Sequence, residues 1–130
     1  MNRDISEGER IEPLEVVPDR VQLFRYSAMT WNSHRIHYDP EYARTEGHPD
    51  VLVQSHFHGA LIQRLVMQWC GPDGVFTELS WSNVGRAVPE EPLSVKAEVI
   101  SIEDGHVDLD VWTETDDHRA AEGTARVSFD

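Results

Sequence analysis

The chain has 130 residues and a net charge of −13, with Lys96 its sole lysine. Such a length is one domain with a single core, and such a charge excludes nucleic acid and anionic membrane surfaces, both of which need clustered cations to release counterions. Its single cysteine, Cys70, excludes an internal disulfide, and no apolar run reaches the length of a secretory h-region or a membrane span, so the cytoplasm is the expected compartment.

Residues 1–18 are rich in Glu, Asp and Arg, carry Pro13 and Pro18 and have no sustained apolar period. They read as a flexible or partner-clasping arm, leaving 19–130 as the domain. Val21 to Ser27 alternates Val21, Leu23 and Arg25 with Gln22, Phe24 and Tyr26, the period of a strand. Asp39, Pro40 and Gly47 frame a short helix around 41–46: an N-cap, a proline in the first turn and a glycine stop.

The stretch QSHFHGALIQRLVMQWCG, Gln54 to Gly71, is the only segment apolar enough for a fully buried helix. Phe57, Leu61, Leu65 and Trp69 form one row and Ile62 and Val66 a second, with Ser55 as cap and Gly71–Pro72 as stop. From Gly74 the period becomes two. Runs from Val75 to Trp81, Leu93 to Val99, Val107 to Val111 and Ala121 to Phe129 are joined by turns too short for a parallel crossover. The fold class is therefore α+β: an antiparallel sheet of about five strands curled round one long helix.

Two places carry chemistry. Asn32, His34 and His37 fall within six residues between the first element and the short helix, where a loop can aim several side chains at one point. A histidine can shuttle a proton near neutral pH, whereas Asn32 can hold a water or carbonyl but cannot act as a base, so His37 is the candidate acid/base. The same three residues also fit a hydrogen-bonded loop without a catalytic role. At the start of the long helix lie His56, Phe57, His58 and Gly59, where free N–H groups and the helix dipole favour an anionic or carbonyl oxygen.

Neither His34/His37 nor His56/His58 is completed by a cysteine or carboxylate at familiar zinc spacing, so no metal is expected. Cys70, at a helix C-terminus, reads as a buried structural thiol, and Trp81 and Trp112 as core or interface aromatics. The absence of G-x-S-x-G and of a phosphate-cradling glycine loop removes serine-hydrolase and nucleotide-binding readings.

On these residues the sequence resembles the MaoC-like family of (R)-specific enoyl-thioester hydratases and dehydratases, which have the hot-dog fold. The family's motif Asp-x-Asn-Pro-(aliphatic)-His is matched by Asn32, Ser33, His34, Arg35, Ile36 and His37, with Asn32 at the aspartate position and His34 at the asparagine. The stretch LFRYSAMTWNSHRIHYD is similar to a branch that includes fungal mitochondrial hydroxyacyl-thioester dehydratases and mesaconyl-CoA hydratases. The stretch LVQSHFHGALIQRLVMQWCGP is similar to the small subunit of heteromeric actinobacterial hydratases acting on steroid side-chain enoyl-CoAs. The resemblance covers residues 20 to 130.

What it implies is interconversion of a trans-2-enoyl-CoA and an (R)-3-hydroxyacyl-CoA, with CoA thioester as substrate, no cofactor, and a homodimer or a heteromer with a homologous hot-dog chain. His37 would be general base and acid, and Asn32 would orient the water. His34, His56, Phe57 and Gly59 would face the substrate, with backbone donors near His56 and Phe57 receiving the thioester oxygen. Arg86 is a candidate for a CoA phosphate, or a plain surface arginine. The alternatives are a non-catalytic subunit completing a partner's acyl-CoA site, an acyl-CoA thioesterase, and a small-ligand binding module.

Overall fold

The computed structural model describes residues 3–129. Its centre is helix α3, Ser55–Cys70, and around it curls a five-stranded antiparallel sheet. Strands β1 (Leu14–Val16), β2 (Gly74–Asn83), β3 (Leu93–Glu103), β4 (His106–Glu114) and β5 (Arg119–Phe129) lie in the order β1-β3-β4-β5-β2. Helices α1 (Arg20–Thr30) and α2 (Pro40–Thr45) and a 3₁₀ turn, Arg35–His37, fill the connection between β1 and α3.

Alternation from Gly74 onward produces the sheet as expected. Leu93, Val95, Ala97 and Val99 of β3, Val107, Leu109 and Val111 of β4, and Ala125, Val127 and Phe129 of β5 are buried. They meet Leu61, Ile62, Leu65, Val66 and Cys70 of α3, so helix and sheet share one core. Cys70 is buried within it and its thiol is pushed up by desolvation. Trp112 points to the sheet's other face, its ring 4.3 Å from the Arg119 guanidinium.

Three expectations are corrected. Val21 to Ser27 is not a strand but most of α1. Seven residues fit either period, and the ends decide: Asp19 accepts the Gln22 N–H at 2.8 Å while Gln22 Oε1 accepts the Asp19 N–H at 2.9 Å, a reciprocal cap that starts a helix. Its buried residues, Leu23 and Ser27, are four apart on one helical face.

Residues 3–18 are not a free arm. Leu14–Val16 supply the fifth strand by pairing with Leu93–Val95, and the N–H groups of Ile11 and Gly8 donate to Ala97 and Val99. Arg3 donates to the carbonyls of Trp69 and Cys70 at the C-terminus of α3, where unpaired carbonyls favour a cation. Composition misled because a three-residue edge strand needs almost no apolar period.

The third correction is the cap of α3, which is Gln54 rather than Ser55, and its side chain makes no capping bond. Asp39, by contrast, caps α2 as expected, with Pro40 in its first turn. Among the described residues no helix is long and apolar enough to cross a membrane.

Candidate active site

α1 ends at Trp31, whose backbone turns left-handed at φ 56 and whose N–H donates to Ser27 O. The Asn32 N–H donates to the same carbonyl at 3.0 Å, so Asn32 hangs directly from the last turn of α1. Its Oδ1 accepts the His34 N–H at 3.3 Å, and His34 Nδ1 in turn accepts the Ile36 N–H at 3.2 Å. Both side chains thereby shape the loop that carries His37.

The imidazole of His37 is partly buried, with Nδ1 2.8 Å from Leu52 O. A carbonyl can only accept, so Nδ1 carries the hydrogen and the neutral ring presents Nε2 as its lone pair. Burial pulls the His37 pKa below its ordinary value, the Leu52 hydrogen bond opposing and the neighbouring His34 reinforcing the shift. The ring is therefore held in the form that accepts a proton at neutral pH. The same segment closes the loop from the other side, since the Leu52 N–H donates to Ile36 O at 2.9 Å.

Three residues beyond Leu52, α3 begins. The Phe57 and His58 N–H groups are already bonded to Gln54 O, at 3.1 and 3.2 Å, which leaves the N–H groups of Ser55 and His56 as the donors preceding the first intrahelical bond. The expected pair near His56 and Phe57 thus moves back by one residue. His56 is exposed, edge-on to Trp81 at 5.7 Å, while Phe57 packs edge-on to Tyr26 at 5.3 Å.

Gly59 has a packing role. A Cβ there would collide with the Trp81 indole, whose Nε1–H donates to Ser55 O at 3.1 Å, so the missing side chain lets β2 grip the first turn of α3. His58 faces inward, fully buried, sharing a 2.9 Å hydrogen bond with Thr113 Oγ1, and burial lowers its pKa to about 4. It belongs to the core because it lies four residues before Ile62 on the buried face.

An open cleft of about 650 Å³ lies between α1 and the loop after it, lined by Phe24, Ser27, Ala28, Trp31, Asn32, Ser33 and Tyr38. Asn32 opens into this cleft and His37 does not line it, so the two motif residues do not share it in a single chain. Arg86 lies apart, donating to Gly47 O at 3.3 Å and 3.0 Å from His48 Nδ1.

Sequence reasoning missed Leu52, Gln54 and Ser27. Leu52 acts through a main-chain carbonyl, which any residue type would supply. Gln54 is buried at the cap of α3, where Nε2 donates to Leu23 O at 2.7 Å and Ser27 Oγ at 3.0 Å. A polar residue just ahead of an apolar run was its only trace.

The family model for hydroxyacyl-thioester dehydratase type 2 matches residues 3–84, more than half of the chain. The chain belongs to this family. Mesaconyl-C(4)-CoA hydratase of Chloroflexus aurantiacus is 52% identical over 54 residues, covering 41% of this chain and 18% of that protein. The mitochondrial hydroxyacyl-thioester dehydratase type 2 of Saccharomyces cerevisiae is 30% identical over 76 residues, 58% of this chain and 26% of that protein. The chain spans about a quarter or less of the length of these curated relatives.

Among solved structures, the ChsH1-ChsH2 complex from Mycobacterium tuberculosis matches with TM-score 0.88 at 19% identity, covering 96% of this chain and 98% of that one. The (R)-hydratase from A. caviae involved in PHA biosynthesis matches with TM-score 0.89 at 17% identity, covering 98% and 99%. At such identities the likeness shows the fold, which is the hot-dog fold, and the resemblance read from the sequence is borne out.

Proposed function

We propose that this chain interconverts a trans-2-enoyl-CoA and its (R)-3-hydroxyacyl-CoA, acting together with a second hot-dog chain. The observation that carries the reading is His37, fixed through Nδ1–H on Leu52 O with Nε2 left as a neutral base. Nε2 would take a proton from water as its oxygen bonds to Cβ. The π electrons move toward the thioester, and the enolate oxygen receives the N–H groups of Ser55 and His56 at the positive end of α3. The same imidazolium, directly or through water, returns a proton to Cα, leaving the histidine neutral again. One water is added and nothing is oxidised.

Asn32 would direct the water through its amide NH₂, since its Oδ1 is engaged by the His34 N–H. His34, which caps its own 3₁₀ turn, would border the thioester rather than touch protons, and the apolar cleft beside Asn32 offers room for acyl carbons. Arg86, apart from this cleft and held at Gly47 O and His48, would be the cation offered to a CoA phosphate.

A partner is favoured by the sheet's margin. β2 ends the sheet with one edge unpaired among the described residues, and Val75 and Met67 lie exposed beside it. A ten-residue open edge with apolar neighbours requires a cover, and a homologous chain, identical or not, supplies one. The relatives' solved structures include a two-component complex.

One observation favours the reading as a non-catalytic subunit: Asn32 stands where the motif has aspartate and its oxygen is spent on the loop. The thioesterase reading loses ground, because Asp39 is held by Arg35 and the Tyr42 N–H, and Asp50 by Arg20. The test is co-purification from the native host, then following loss of the conjugated enoyl chromophore over a panel of enoyl-CoAs. Turnover by the chain or its complex supports the reading; no turnover by either rejects it.

A further inference from the structure

We infer that Gln54 is a positioning residue that sets Asn32 relative to His37, an inference that rests on the hydratase reading of that pair. Two chains of bonds meet at this buried amide. On one side, Gln54 Nε2 donates to Leu23 O at 2.7 Å and to Ser27 Oγ at 3.0 Å. Ser27 is the residue whose carbonyl holds the Asn32 N–H at 3.0 Å. On the other side, two residues earlier in the chain, Leu52 accepts from His37 Nδ1 and donates to Ile36 O. Leu52, Val53 and Gln54 therefore form a short extended rod with His37 attached at one end and the turn bearing Asn32 at the other.

Val53 stiffens this rod by donating to Ala87 O at 2.9 Å, and the side chains of Val51, Val53 and Gln54 are buried. The only other polar group of the amide, Gln54 Oε1, is buried without a partner among the described residues. The orientation is fixed nonetheless, since turning the amide would set two oxygens against each other at Leu23. An unpaired buried acceptor is a cost that an apolar side chain of the same size would avoid. The cost at Oε1 is set against the two buried bonds from Nε2, so what the glutamine provides that Met or Leu would not is its hold on Leu23 and Ser27.

Gln54→Met keeps the volume, removes the orphan acceptor and cuts both bonds to α1. The expected result is a melting temperature within a few degrees of the wild type, kcat reduced at least about tenfold at nearly unchanged KM, and hydrogen exchange at the Asn32 amide accelerated about tenfold or more. Ser27→Ala, which cuts one bond and suits a helix, is expected to give a smaller change in the same direction and serves if Gln54→Met does not fold. Unchanged kcat, or kcat lowered only with the folded fraction while Asn32 exchange stays at its wild-type rate, would overturn the assignment. If the wild-type chain and its complex hydrate nothing, the hydratase reading falls by itself and the Asn32 exchange rates alone decide whether Gln54 sets the turn.

Discussion

His37 Nδ1 lies 2.8 Å from Leu52 O, and the loop carrying the histidine is tied at the same time to the segment that leads into the central helix. The proposed base is thus tied to the stretch that carries the proposed oxyanion donors, with Leu52 three residues ahead of Ser55. Such a tie fixes the tautomer before substrate arrives, and orientation paid in advance is what a proton-transfer site needs. Because desolvation lowers the His37 pKa, its basic form persists to more acid pH than a free imidazole's, so the acid limb of kcat/KM is expected below the ordinary histidine value. A pH–rate profile checks this.

Asn32 gives a graded prediction. If its amide only directs water, Asn32→Ala lowers the hydration rate by roughly tenfold. Asn32→Asp restores the carboxylate of the motif and is expected to keep or raise the rate, measured on the same enoyl-CoA. A loss with Asp as large as with Ala would mean that the amide's own N–H donors are required.

His58 predicts an acid weakness. Its folded pKa is lowered to about 4, below the value of about 6.5 in an unfolded chain, so between these values the unfolded state binds a proton that the folded state refuses. Stability is therefore full above the higher value and falls as pH drops through the window, by on the order of 3 kcal/mol at its lower end. Asp39, Asp108 and Glu114, lowered mainly by their Arg or Lys partners, and Asp50, where burial opposes the Arg20 and backbone bonds that lower it, lose their stabilisation as pH falls through the ordinary carboxylate range, at the acid end of this window and beyond, in wild type and variant alike. Urea melts of wild type and His58→Gln from pH 7 to 4 isolate the effect: the wild type steepens across this window and the variant is flatter.

The residues before α1 supply the next test. Ile11 is buried, Leu14–Val16 cover the β3 edge, and Arg3 caps the C-terminus of α3. A chain starting at Asp19 is expected to lose several kcal/mol, as buried apolar area and edge pairing are removed together, measured by denaturant melts. A truncated chain as stable as the full one would return this segment to the role of a dispensable arm.

Much of this fold could be read in advance because its signals are local and repeated. Gln54 to Gly71 is apolar for four turns, and the four strands after Gly74 each alternate long enough to exclude a helix. α1 was misread because its apolar content is spread around the helix: Val21 and Phe24 stay exposed while Leu23 and Ser27 turn inward. β1 was missed because three residues on an edge carry no period. His37 stood out by residue type and motif position, but its partner is a carbonyl, and the glutamine bonded to the last turns of α1, from which Asn32 hangs, lies 22 positions after Asn32. Residue type records side-chain chemistry, whereas these supports depend on where the main chain passes.

The most direct measurement is the hydration rate of His37→Ala, alone and with any chain that co-purifies with it, against the wild type under the same conditions. His37 is the motif histidine whose Nε2 lone pair is left free, whereas His34 Nδ1 is taken by the Ile36 N–H, so His37→Ala should lower the rate at least about a hundredfold, with the melting temperature and sedimentation of any complex retained. Unchanged hydration in a folded, assembled His37→Ala protein would contradict the assignment and leave the chain as the structural half of another subunit's site.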